Sequence, residues 1–278
     1  MRLLLLRIVI LISLLMQANF VWADIYRHQD NNGNISYSDQ ASPTSTLVLS
    51  VQKTYRYKHT VKRVYDGDTV ILENGKRVRL LGLNTPEIES HYRQGQAGGI
   101  DAKEWLKEKL TSSTVFLEYD KQQKDKYGRL LAHVFLEDGE HVNQQLIKLG
   151  LATLSIIPPN LRYSVELQQA ELMAENKRVG IWSMTEYQPI AVEVLPNNKT
   201  RSSWQRILAK PTALKESRKY IRLILNDKVD IRIAKQNLAL FPELEGYIGK
   251  SLEIRGWASR SKDHYSILIR HPSAIISR

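Results

Sequence analysis

No cysteine occurs in the 278 residues. Disulfides and thiolate metal ligands are therefore excluded, and so is a lipoprotein anchor, which needs a cysteine. Long apolar runs are missing too: beyond the first 23 residues nothing approaches the ~18 uninterrupted apolar residues of a membrane-spanning helix. Histidine spacing of the H-E-x-x-H kind is absent, so that route to a metal centre is closed. Stability has to come from buried apolar surface, which a chain of this length can supply in one or two ordinary domains.

What is present begins with a leader. Arg2 and Arg7 flank a short run of Leu, Ile and Val that ends in polar Ser13 and Gln17, and Val21-Trp22-Ala23 follows. This pattern predicts an export signal over residues 1–23, cleaved after Ala23, and no stable membrane anchor once it is removed. The expected destination is the periplasm or the medium. Charge is distributed unevenly. Residues 24–198 hold 21 Lys and Arg against 22 Asp and Glu, whereas residues 199–278 hold 17 against 7. Nearly all of the chain's net +11 lies in its last 80 residues. Such a patch attracts polyanions, and it predicts that the C-terminal segment tethers a polyanionic partner.

Ile25-Tyr26 and Ile35-Ser36-Tyr37 flank the polar turn Asn31-Asn32-Gly33-Asn34, which predicts a hairpin. It resembles a short module found just after the signal in many bacterial envelope proteins. Residues 42–50 read as a linker, completing a 24–50 module. Strands are predicted at 60–65, 69–73 and 76–81, the last two joined by Asn74-Gly75, a strong hairpin signal. A helix at 100–110 with Ile100, Trp105, Leu106 and Leu110 on one face follows, then strands at 114–119 and 130–136 and helices at 142–150 and 163–177. That order is the order of a five-stranded Greek-key barrel of the OB type with appended helices, a mainly β, α+β fold. Pro189, Pro196 and Asn197-Asn198 place a linker at 185–199. Beyond it, alternation at 220–225, 229–233, 251–257 and 265–270 predicts a second, basic, OB-like β-domain over 200–278.

Four short pieces stand in order within the first barrel region: Asp66-Gly67-Asp68-Thr69, Arg79-Leu80-Leu81-Gly82-Leu83-Asn84-Thr85-Pro86-Glu87, Asp125-Lys126-Tyr127-Gly128-Arg129 and Gly180-Ile181-Trp182-Ser183. Hydrolysing a phosphodiester needs a cation, positioned positive donors and a group that orients or deprotonates water. Oxygen ligands, two arginines and a carboxylate meet those needs. With only oxygen donors on offer, a hard cation is expected, Ca²⁺ ahead of Mg²⁺ or another divalent ion.

Together the four pieces resemble the staphylococcal nuclease (thermonuclease) family over about residues 59–184. The resemblance implies an exported, metal-dependent nuclease that cleaves DNA, RNA or both and leaves 3′-phosphate ends. It implies Asp68, Asn84 and Thr85 as metal ligands, Thr85 through its carbonyl, with Asp66 ordering the loop. It implies Glu87 as general base or water-orienting group, and Arg79 and Arg129 as phosphate contacts, which Lys cannot replace because it lacks the paired planar donors. Lys126 and Tyr127 are secondary substrate contacts. Two departures stand out. Asn84 occupies a position where the family prototype has Asp, which removes one negative charge. Gly150-Leu151-Ala152 runs on into Ser155-Ile156-Ile157-Pro158-Pro159 rather than into base-stacking tyrosines. These departures motivate a second reading, a catalytically weak or inactive nucleic-acid-binding envelope protein.

Overall fold

The computed structural model describes residues 25–29, 35–38, 46–49, 55–89, 95–195 and 202–278. The expected signal and the turn at 31–34 lie outside them. At the N-terminus β1 (Ile25–Gln29) pairs antiparallel with β2 (Ile35–Ser38), Tyr26 opposite Ser38. Within the stretch expected as a linker, β3 (Thr46–Leu49) adds to the other edge of β1.

The first barrel follows from alternation. In β4 (Arg56–Asp66) Val61 and Val64 turn inward while their neighbours face solvent. β5 (Thr69–Leu72) and β6 (Arg77–Leu80) form the hairpin around Asn74-Gly75, where Gly75 adopts φ 78°, a left-handed conformation that glycine enters without strain. β7 (Leu83–Asn84) leaves the barrel, and α1 (Gly99–Leu110) crosses beneath it. β8 (Thr114–Lys124) and β9 (Leu130–Phe135) complete the closed order β4-β5-β6-β9-β8, in which only the β6–β9 pair is parallel. Inside lie Val70, Val78, Leu117 and Val134, with Leu106 and Leu110 of α1 and Leu146 of α2 (Val142–Lys148) packed on them. Ile100, expected on the core face of α1, is 71% exposed. Ala102 is buried instead, because Gly99 starts the helix against the backbone of Glu87. The helix α3 (Ser164–Asn176) lies on α2.

The 185–199 stretch, expected as a linker, carries structure as far as 195: β11 (Ile190–Ala191) pairs parallel with β12 (Ser202–Ala209), and Val192 and Leu195 enter the second core. That core lies behind β13 (Ala213–Glu216), β14 (Tyr220–Asn226), β15 (Val229–Ala234), β16 (Leu252–Ser261) and β17 (His264–Ile269), with β18 (Ile275–Ser277) on β16. The sheet runs β12-β16-β17-β15-β14-β13. Since β12 and β13 are consecutive along the chain, the two ends of this path are one strand interrupted at 210–212. Counted so, the connectivity repeats the first barrel, including its single parallel pair, here β15 with β17. The curled C-terminal sheet thus has OB-type connectivity.

The two β-units meet through buried charge. Arg255 donates to Glu171 of α3 at 2.9 Å and to Glu253 at 2.6 Å. Arg206 donates to Glu253 at 2.7 Å, and Arg206 and Arg278 both pair with Glu175 of α3. Beside the cluster, Trp204 packs against Trp182 and Tyr187. Three of the C-terminal cations are therefore engaged in docking rather than free for a partner.

Candidate active site

The turn between β4 and β5 places Asp66 and Asp68. Asp66 Oδ1 accepts from the Asp68 amide at 3.1 Å, so the first carboxylate orders the backbone that carries the second. Gly67 is needed here for closeness rather than for its φ: a Cβ would stand 2.7 Å from Thr85 Oγ1 and 2.9 Å from Ala102 Cβ. The loop can press onto Thr85 only without a side chain. Burial, and after it the charge of Asp68, pushes Asp66 up to about 6.

Asp68 is buried and fully engaged. Its Oδ1 accepts from the Thr69 hydroxyl at 3.0 Å, and its Oδ2 accepts from both the amide and the hydroxyl of Thr85 at 3.2 Å. Arg79 Nη2 lies 2.9 Å from the same Oδ2 and donates to Asn84 Oδ1 at 3.0 Å. Further donations to the carbonyls of Leu80 and Leu83 lock the guanidinium in place. Asn84 is fixed by β7, which pairs with β10 (Thr153–Leu154), Asn84 opposite Thr153. Asn84 Nδ2 donates to the Thr85 carbonyl at 3.0 Å. Asp66, Asp68, Arg79, Asn84 and Thr85 are thus one hydrogen-bonded unit.

This donor set suits a hard cation: the Asp68 and Asn84 oxygens converge on one positive nitrogen, and every donor is oxygen. Among the described residues no three His, Cys, Asp or Glu side chains cluster to hold a metal. An ion here would depend on Asp68, Asn84 and Thr85 together with water, and it would share two of those oxygens with Arg79.

Arg129 enters from the β8–β9 loop. Asp125 organises that loop: its Oδ1 accepts from the amides of Tyr127 and Arg129 at 2.9 Å each, and its Oδ2 accepts from Arg129 Nε at 2.7 Å. Burial alone would lift Asp125, but these bonds and the charge of Arg129 hold its carboxyl below the usual range. Asp125 stands in the third sequence motif, where the pattern alone assigns it no role. The available signal was an Asp followed at two and four residues by amides free to cap its side chain. Arg79 and Arg129 line the same cavity, of about 330 Å³, together with Lys126, Tyr127, Ser155 and Ile157. Tyr127 is 72% exposed, and the guanidinium of Arg129 lies 5.7 Å from its ring. Glu87 does not line this cavity. Its segment is held by Gln96, whose side chain accepts from the Glu87 amide at 2.9 Å and whose amide donates to the Glu87 carbonyl at 2.8 Å.

A closed OB-type barrel carrying two arginines on one cavity, beside a carboxylate and amide oxygen pair, defines a nuclease of the phosphodiester-hydrolysing class. The family model described as Staphylococcal nuclease homologue matches residues 77–184. A thermonuclease of Staphylococcus intermedius is 44% identical over 127 residues, 45% of this chain and 75% of that protein. A thermonuclease of Staphylococcus hyicus is 39% identical over 153 residues, 54% of this chain and 89% of that protein. Endonuclease YncB of Bacillus subtilis is 34% identical over 173 residues, 58% of this chain and 82% of that protein. The chain belongs to the staphylococcal nuclease family. Residues 12–57 match a separate domain of unknown function (DUF4124).

Proposed function

We propose that this nuclease is exported, requires a divalent cation, and hydrolyses DNA or RNA to products with 3′-phosphate ends. The observation that carries the reading is that Arg79 and Arg129, from different elements, line one cavity. Two guanidinium groups there can hold the phosphate's free oxygens and gain strength as negative charge accumulates during attack. Glu87 orients or deprotonates the water. The water oxygen bonds to phosphorus, the bond from phosphorus to the 5′-oxygen breaks, and that oxygen leaves with a proton while phosphate stays on the 3′-carbon. A Ca²⁺ ion held by Asp68, Asn84 and Thr85 would supply further charge neutralisation, and Asn84 makes that site one negative charge weaker than an aspartate would. Asp66 keeps the Asp68 loop ordered.

The test is digestion of plasmid and single-stranded substrates by the purified protein with Ca²⁺, Mg²⁺ or chelator, followed by end-group analysis. Fragments that accept a 5′ label without phosphatase treatment, formed only with divalent ion, support the reading. Metal-independent cleavage or 5′-phosphate ends contradict it. Salt-sensitive binding with no turnover would favour a binding protein instead.

A further inference from the structure

A second cleft continues from the catalytic one. Its volume is about 320 Å³, and its walls are Asn84 and residues 153–157 on one side and the C-terminal sheet on the other. Ser155 and Ile157 line both clefts, so a chain held at the arginines has a direct path into the second. The sheet contributes Arg232, Trp257 and Arg270. Alternation dictates this: Ile231, Ile233, Ile254, Ala258, Ile267 and Ile269 fill the second core, so their neighbours must face outward.

The chemistry of that outward face is specific. Arg232 pairs with no acid among the described residues, its Nε is buried without a hydrogen-bond partner, and its guanidinium lies 5.7 Å from the Tyr220 ring. Arg270 is exposed and likewise unpaired among them. Glu171, the acid of the cleft, is neutralised by Arg255 and also accepts from the Leu154 amide at 2.7 Å. A guanidinium that lines a cleft with no acid paired to it leaves its charge for an anionic ligand to meet. An aromatic ring and two arginines lining one groove are the composition that holds single-stranded nucleic acid, by stacking bases and pairing phosphates. A cleft of small-ligand volume admits bases and their phosphates but not a duplex. After Gly150-Leu151-Ala152 the barrel runs on through Ser155, Ile156 and Ile157, with no aromatic ring in that stretch.

We propose that this cleft is a second nucleic-acid subsite, which takes single-stranded nucleotides adjoining the scissile bond, with a base on Trp257 and phosphates on Arg232 and Arg270. The proposal rests on the nuclease reading and extends it to the C-terminal domain. Its test uses the full chain with Trp257→Ala, Trp257→Phe and the double variant Arg232→Gln/Arg270→Gln, each checked for native circular dichroism. Two readouts are taken: binding of a labelled single strand longer than the ~16 nucleotides an OB-type face covers, in chelator, and cleavage kinetics with metal on that strand and on a single-nucleotide nitrophenyl phosphodiester. Trp257→Ala and the double variant should weaken binding and raise KM for the long strand about tenfold, the worth of one stacked base, while Trp257→Phe restores most of it and the small ester is hydrolysed as by the parent. Unchanged Kd and KM on the long strand would overturn the subsite and leave the nuclease intact. Equal losses on a duplex of the same length would overturn its single-strand character. Absence of cleavage by the parent would sink the nuclease reading, and the binding readout would still decide the subsite.

Discussion

Arg129 depends on Asp125 for its direction, since one carboxylate fixes both its side chain and its backbone. Asp125→Ala therefore leaves the guanidinium present but unaimed. Turnover should fall by about 10-fold or more while Arg129→Ala costs ~10²-fold, and Arg129→Lys should be nearly as damaging as Arg129→Ala because an ammonium cannot copy the planar pair. Steady-state kinetics of the three variants checks the order. Gly67→Ala forces a methyl to within 3 Å of Thr85 and Ala102. Overpacking of this kind costs about 1–3 kcal/mol and pushes Asp68 out of place, which denaturant midpoints and activity measure together. That Asp68, Arg79 and Asn84 come together, and that Arg79 and Arg129 share a cavity, was legible in the sequence because each stands in a short local motif. The reason for Gly67 was not. It lies in Ala102, 35 positions away on a helix, and a glycine in a turn suggests backbone freedom first.

At the scale of elements, β9 meets α2 through two histidines that sequence patterning passes over. His133 Nδ1 and His141 Nε2 lie 3.2 Å apart, Phe135 stacks on His141, and Arg56 covers Phe135. Burial, then the charge of Arg162, pushes His133 down to about 3. Burial, then the charge of His133, does the same to His141. Both are neutral in the folded protein, whereas the unfolded chain takes up protons near pH ~6.5. Their contribution is intact above that pH and is lost as pH falls through the window from 6.5 to about 3. At pH 5 the loss is about 2 kcal/mol per histidine. Denaturant midpoints should drop between pH 7 and 5, and His141→Gln should flatten the dependence. A midpoint that holds steady in the parent would refute the mechanism. Strand order was legible because buried strands alternate and Asn-Gly marks a hairpin. The extension of β8 to Lys124 was not: its outer half faces solvent, so no inward apolar residue signals it. Nor was β7 with β10, two residues each, too short to show a period.

Across the whole molecule, the positive excess of the C-terminal segment is readable by counting, but its use is not, because two of the acids that meet it, Glu171 and Glu175, sit on α3 of the other unit. Arg255 reaches Glu171, Glu175 and Glu253, and Glu171 in turn holds the Leu154 amide of the strand that fixes Asn84. Docking is thereby linked to the site by two hydrogen-bonded steps. Arg255→Ala strands the buried carboxylate of Glu171, while Glu175 and Glu253 keep Arg206 and Arg278, and it should cost about 3–5 kcal/mol in chemical denaturation, well above the ~1 kcal/mol expected of an exposed ion pair such as Lys107 with Glu104. Equal effects from Arg255→Ala and Lys107→Ala would mean that the cluster does not hold the units together. Arg232 and Arg270, which pair with no acid among the described residues, face the second cleft.

The most direct measurement is the rate of metal-dependent cleavage of single-stranded DNA by the parent protein beside Arg129→Ala and Glu87→Gln. Robust cleavage by the parent, with each variant slowed ~10²-fold or more at unchanged folded content, is the predicted result. Variants that cleave at the parent's rate would show that the chemistry takes place elsewhere than between Asp66 and Arg129.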